Sequence, residues 1–183
     1  PSRADIIRFL GGIYFRLGQI EKCTEALRQA LKLDPASPNI FHDLGVSLKR
    51  EGRFGEAEAI LRESVRRSPS AALPSLLSLC DLLCQSARRD EAEKILRLAL
   101  ERAPNNLELL RDLTNLLIQD GRFQDGAILI ERFIQRNGQS VAALEQLSIT
   151  YQCLNRLDEA LAITAATIQA QPPRTLDIRL ASY

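Results

Sequence analysis

The chain has 183 residues, 45% apolar, 5% aromatic and 26% charged, with 24 Lys and Arg against 23 Asp and Glu and a net charge of +1. So even a balance excludes a general electrostatic grip on nucleic acid or anionic lipid. No apolar run approaches the ~20 residues that span a bilayer, so no membrane insertion is expected.

From Leu10 to Pro35 the chain reads LGGIYFRLGQIEKCTEALRQALKLDP. This stretch returns as LGVSLKREGRFGEAEAILRESVRRSP (Leu44–Pro69) and LCDLLCQSARRDEAEKILRLALERAP (Leu79–Pro104), with looser copies at Leu113–Gly138 and Leu147–Pro172. The returns come after 34, 35, 34 and 34 residues, a period that marks an array of stacked units. In the first copy Ile7, Leu10, Gly11, Tyr14 and Leu17 fall on one face of a helix. Gly18-Gln19 breaks it, and Ile20, Cys23, Leu27, Ala30 and Leu31 line a second helix that Asp34-Pro35 closes. Ser37-Pro38, a capping residue before Pro at the first helical position, opens the second copy. Its helices carry Phe41, Leu44, Gly45 and Leu48, then, after Gly52, Phe54, Ala57 and Leu61. The third copy carries Leu76, Leu79, Cys80 and Leu83, a turn without Gly at Ser86-Ala87-Arg88, then Ala92, Leu96 and Ala99. One extra residue near Ala71-Ala72 precedes it and predicts a small change in stacking angle. The fourth copy gives Leu110, Leu113, Thr114 and Leu117, then Gly121, Phe123, Gly126, Ile130 and Phe133. The fifth gives Leu144, Leu147, Ser148 and Tyr151, then Leu157, Ala160, Thr164 and Thr167. The tail TLDIRLASY places Ile178 and Ala181 where a sixth first helix would begin.

The recurrence has a physical reason. Small residues are needed where helix backbones approach to ~8 Å, and large ones where the groove between them is filled. Gly11, Gly45, Cys80, Thr114 and Ser148 hold that site on the first helices, and Cys23, Ala57, Ala92, Gly126 and Ala160 on the second. Phe133 departs, standing where Ala30, Ser64 and Ala99 stand earlier. The expectation is that Gly126 makes room for its ring, so that Gly126→Ala should overpack.

The pattern large–x2–Leu–small–x2–large in Ile7-Leu10-Gly11-Tyr14 and Phe41-Leu44-Gly45-Leu48 resembles the tetratricopeptide repeat family. So do Ala57-Leu61-Ser64 and Ala92-Leu96-Ala99 on the second helices and the closing Pro35, Pro69, Pro104 and Pro172. The resemblance covers about Ala4 to Arg174. It implies an all-α fold: a right-handed α-solenoid or superhelix of five helix-turn-helix hairpins with a short C-terminal partial helix. The array is expected to occupy 1–183 as one domain, with hairpins at about 4–37, 38–71, 73–106, 107–140 and 141–174 and a partial sixth helix or cap at 175–183.

No catalytic constellation is present: there is one His, no phosphate loop, no G-x-S-x-G and no metalloprotease motif. No cofactor and no metal are expected. Cys80 and Cys84 lie one turn apart, but Cys80 falls at a packing site, and free Cys is commonly a buried small hydrophobe. Glu56, Glu58, Glu91 and Glu93 sit at starts of second helices, where the dipole favours acids.

The resemblance implies that first helices line a concave groove holding an extended peptide or a partner helix. The groove residues expected are Arg8, Phe15 and Arg16, with Asp5; His42, Val46, Lys49 and Arg50, with Asn39; Leu77, with Asp81 and Cys84; and Arg111, Asn115, Ile118 and Ile149, with Glu108, Glu145 and Gln152. Arg8, Arg16, His42, Lys49 and Arg50 would make its first half basic, over an apolar strip of Phe15, Val46, Leu77, Ile118 and Ile149. That suits an acidic–apolar partner segment, although Arg16, Lys49 and Arg50 also lie near helix C-termini, where cations gather for dipole reasons. The paired Lys/Asn clamp of chaperone-binding members is not reproduced beyond Arg111-x3-Asn115. An Asn ladder is absent at Phe9, Asp43, Ser78, Asp112 and Gln146.

The reading is therefore a protein–protein interaction scaffold. The alternatives are a regulatory or substrate-positioning segment of a larger enzyme, and a pentatricopeptide-like RNA reader, which the near-zero charge and the apolar residues Val46, Leu77 and Ile149 oppose. Exposed stacking faces at the array's ends make self-association a further expectation. The opening PSRADIIRFL has neither an initiator Met nor a signal peptide's apolar core, which suggests a fragment. Four Cys without paired spacing point to a reducing, cytoplasmic setting.

Overall fold

The structure is a computed structural model that describes residues 1–68 and 72–170, with side chains to 168. Ten helices and no strand occur among the described residues. They pair as hairpins: α1 (Arg3–Arg16) with α2 (Ile20–Leu33), α3 (Pro38–Arg50) with α4 (Phe54–Arg67), α5 (Leu73–Gln85) with α6 (Arg89–Arg102), α7 (Leu107–Gln119) with α8 (Phe123–Asn137), and α9 (Val141–Cys153) with α10 (Leu157–Ala170). The extra residue before the third hairpin, Pro69, and the tail with Pro172, Ile178 and Ala181 lie outside the described residues. The chain divides into two compact units, Pro1–Leu98 and Ala99–Tyr183, with the boundary inside α6.

Each turn needs one residue in the left-handed region so that the chain can reverse within three residues. Gly18, Gly52 and Gly121 supply it at φ of 73°, 77° and 74°. Where Gly is lacking, Ala87 (φ 60°) and Asn155 (φ 58°) adopt the same conformation, at about 1–2 kcal/mol for a residue with a Cβ. The turn is thus set by the register of the hairpin even where the residue resists it. At the helix starts, Ser2 and Asp5 form a reciprocal capping box, and Asn106 and Ser140 cap α7 and α9. Pro38 opens α3 as its position predicts, but the Ser37 side chain makes no capping bond.

In the first unit α1, α3 and α5 lie side by side, and α2 and α4 each pack against the first helix of the hairpin that follows. All ten small-residue sites read from the sequence are buried. A Cβ on Gly45 would stand 2.5 Å from Leu61 Cδ2 and 2.7 Å from its Cγ, and one on Gly11 3.1 Å from Leu27 Cγ. In the fifth hairpin a hydroxyl pair replaces that contact: Ser148 and Thr164 share a 2.8 Å hydrogen bond.

Consecutive hairpins meet through a second column of paired positions. Ala30 clusters with Ile40 between the first two hairpins. Ser64 and Ser75 share a buried 2.8 Å hydrogen bond between the second and third. In the second unit the same two positions carry Phe133 and Ala143, members of one core cluster. Volumes are reciprocal: small against large, medium against medium, large against small. This corrects the expectation for Gly126. A Cβ there would meet the Thr114 and Thr150 methyls at 3.5 and 3.6 Å, an ordinary contact that does not involve Phe133.

Four further packing expectations fail for one reason. Leu10 of α1, Leu17 at its C-terminal cap, and Phe54 and Leu157 at the starts of second helices are exposed. A periodic pattern names the face a residue is on, and only a neighbouring helix decides whether that face is covered.

Candidate functional site

In the first unit, the side-by-side first helices hold eight of the predicted groove residues. Phe15 and Arg16 of α1 and His42 and Val46 of α3 line one cavity of about 250 Å³, with Gly12 and Asp43 on its walls and Cys23 and Leu27 of α2 beneath. Gly12 leaves the opening clear, because nothing lies within 4 Å of where its Cβ would stand. The Arg50 guanidinium lies 5.5 Å over the Phe15 ring and ties α3 to α1. Leu77, on α5, is half-buried.

The basic character predicted for this face is reduced by two ion pairs and one burial that sequence reasoning did not find. Arg8 is paired with Asp43 at 3.0 Å, one helix over. Lys49 is paired in the same way with Asp81 of α5. Burial pushes the His42 pKa below its ordinary 6.5, against the opposing pull of the Asp43 carboxylate and a hydrogen bond to the Pro74 backbone, while Lys49 adds to the depression. His42 is therefore neutral at pH 7, and its Nδ1 is buried with no hydrogen-bond partner among the described residues. Arg16 and Arg50 remain as the cations beside the cavity. The missed signal was positional: acids at Asp43 and Asp81 stand 35 and 32 residues beyond their partners, close to one repeat period.

The chain has a single His, which makes its titration easy to read. The folded state favours neutral His42, so its contribution to stability is present above pH 6.5. That contribution is lost as pH falls through the lower folded value. An NMR titration of the imidazole is expected to show a midpoint below 6.5. A midpoint at or above 6.5 would mean that the ring is solvated.

In the second unit α7 and α9 are neighbours. Gln146 Nε2 donates to Asn115 Oδ1 at 2.9 Å, joining the two helices. A smaller cavity of about 120 Å³ is lined by Leu107, Glu108, Leu110, Arg111, Ala142 and Gln146. Arg111 is exposed, Ile118 half-buried and Ile149 half-exposed, and neither isoleucine enters that cavity. Sequence reasoning set Gln146 aside because it breaks an Asn ladder, and the structure uses it as the bridge.

The second-helix surface of the first unit is occupied by its own charges. Arg28 and Arg53 hold Glu56, and Arg62 and Arg88 each hold both Glu58 and Glu91. Glu56, Glu58 and Glu91, placed at these helix starts by the dipole argument, are also rungs of a ladder across α2, α4 and α6. Such exposed pairs are worth ~0–1 kcal/mol each, but they leave few charges unanswered. A wider hollow of about 630 Å³ at the turns, lined by Gly18, Gln19, Ile20, Glu21, Lys22, Glu51 and Arg53, is polar, and Glu51 and Arg53 are paired across it.

Comparison with known proteins agrees with this architecture. Family models described as TPR repeat and tetratricopeptide repeat match residues 11–52 and 48–117. The chain belongs to the tetratricopeptide repeat family. Members bind protein partners, and this TPR chain is a protein–protein interaction scaffold. It is 29% identical over 119 residues to the BBSome complex member BBS4 of Mus musculus, covering 65% of this chain and 22% of that protein. It is 32% identical over 87 residues to the interferon-induced protein with tetratricopeptide repeats 2 of the same organism, covering 46% of this chain and 18% of that one. The TPR chain thus spans about a fifth of these curated relatives. Among solved structures, the TPR-like repeats of a Podosopora anserina putative kinesin light chain superpose with a TM-score of 0.71 at 21% identity, covering 96% of this chain and 99% of that one. YrrB, described as a TPR protein with an unusual peptide-binding site, gives 0.57 at 16% identity, covering 92% and 86%. At these identities the structures show the fold. No helix among the described residues is long and apolar enough to cross a membrane.

Proposed function

We propose that the first-helix face of the first unit holds a segment of a partner protein, with one apolar side chain in the Phe15–His42–Val46 cavity and an acidic group beside it. The cavity carries this reading. Its volume of about 250 Å³ falls below the ~300–1,000 Å³ of small-molecule sites and suits the anchor side chain of a peptide. Neutral His42 and the Phe15 ring favour an apolar anchor. Arg16 and Arg50, the cations left beside the cavity, favour a carboxylate on the partner. The peptide-binding description of YrrB supports the same use of the fold.

Selection of random peptides on the full chain tests this. Retained sequences are expected to combine a large apolar residue with neighbouring Asp or Glu. Val46→Glu, which places a charge in the cavity, should weaken them at least about tenfold, or ~1.4 kcal/mol, with helicity unchanged. Equal retention by Val46→Glu and wild type would place recognition elsewhere.

A further inference from the structure

The fourth hairpin closes differently from the others. Its last repeat position is Gly138, where the other copies carry Pro35, Pro69, Pro104 and Pro172. A residue before Pro is kept out of the helical region, and α2, α4 and α6 each end two residues before their Pro. Asp34 and Ser68, in that preceding place, are non-helical at φ of −133° and −137°. Gly at 138 lifts the restriction, and α8 runs one residue further, to Asn137.

The added residue is used. Asn137 Nδ2 donates to the Phe133 carbonyl at 3.0 Å, one turn back, and to the Pro104 carbonyl at 3.1 Å, in the segment that leads into α7. Arg67 makes the corresponding tie in the second hairpin, where Nη1 donates to the Pro35 carbonyl at 2.7 Å. Gly138 holds φ 82° and ψ 171°, a conformation that is almost Gly's alone. An amide donor at 137 and Gly at 138 thus come from the geometry of the joint, and they make the chain's one Asn-Gly pair.

That pair has a chemistry the other copies lack, because Pro has no N–H and Gly puts no side chain in the way of its own nitrogen. Asn137 and Gly138 are both exposed. The Gly138 N–H, however, is donated to the Ile134 carbonyl at 2.9 Å. Its nitrogen becomes available only when the last turn of α8 frays.

We propose that Asn137 is a deamidation site, gated by the last turn of α8, whose conversion unties α8 from Pro104. The Gly138 nitrogen loses its proton and attacks Asn137 Cγ. A Cγ–N bond forms, the Cγ–Nδ2 bond breaks, and ammonia leaves with the proton. Water then opens the cyclic imide at one carbonyl or the other, which gives aspartate or isoaspartate with no change of oxidation state. Neither product has an N–H to offer Pro104 or Phe133. Each sets a negative charge at the negative end of the helix dipole, so the joint is opposed as well as lost.

Peptide mapping by mass spectrometry, on the full chain held in mildly alkaline buffer with and without denaturant, tests this. Aspartate and isoaspartate are expected at Asn137 and not at Asn105 or Asn106. Conversion should be at least about tenfold faster in denaturant, the ratio that ~1.4 kcal/mol of protection gives. Equal rates in the two conditions would overturn the gate. Gly138→Pro removes the attacking nitrogen, and in denaturant its effect on folding is immaterial. Conversion of that variant at the wild-type rate would overturn the chemistry. Asn137→Asp should unfold at lower denaturant than wild type, with faster amide exchange in the last turn of α8. A midpoint and exchange equal to wild type would overturn the untying.

Discussion

Phe133→Ala is expected to destabilise the second unit by about 3–5 kcal/mol, the range for removing an aromatic ring from a core. Phe133 is buried in the cluster that also holds Ala127, Ile130, Ala143 and Leu147, and little around it can collapse into the space. The informative variant is the double one. Ala143→Ile alone should overpack by about 1–3 kcal/mol against the intact ring. Combined with Phe133→Ala it rebuilds the small–large joint that Ala30 and Ile40 form in the first unit. The pair should therefore be more stable than the sum of the single effects predicts, by about 1–3 kcal/mol. Denaturant melts of the four proteins measure this. Additive losses would show that the two positions do not share a volume.

Gly45→Ala should also cost about 1–3 kcal/mol through overpacking, even though Ala is the better helix former by about 1 kcal/mol. Its Cβ would stand 2.5 Å from Leu61 Cδ2, and Leu61 is fully buried. Gly126→Ala serves as the internal control. Its Cβ finds ordinary contacts at 3.5 and 3.6 Å, so helix propensity should decide and the change should be neutral or stabilising. The same substitution at equivalent depths thus separates close approach from mere recurrence. If both variants lose the same stability, the glycines are not read through the contacts described.

Why the fold was legible follows from these sites. Gly11, Gly45, Cys80, Thr114 and Ser148 recur in phase because each hairpin solves the same packing problem, and burial follows phase at all of them. The turn at Ala87 was legible too, although the residue there disfavours the conformation. What did not follow was anything decided between copies. Phe133 is paired with Ala143 in the next helix, so no pattern within its own hairpin could name the partner. Arg8–Asp43 and Lys49–Asp81 are likewise bonds between neighbouring hairpins. A face read as basic from its own helix is neutralised by the next one. The cavity at Phe15, Arg16, His42 and Val46 was predicted as a set of residues; its floor of Cys23 and Leu27 was not, because those belong to the second helix.

The reading of function rests on one surface, the side-by-side first helices of the first unit. Amide hydrogen exchange, with and without the tightest peptide from selection, tests it most directly. Slowed exchange confined to α1 and α3, around Gly12–Arg16 and His42–Arg50, is the predicted result. Protection falling instead on α2, α4 and α6, where Arg62 and Arg88 bridge Glu58 and Glu91, would contradict it.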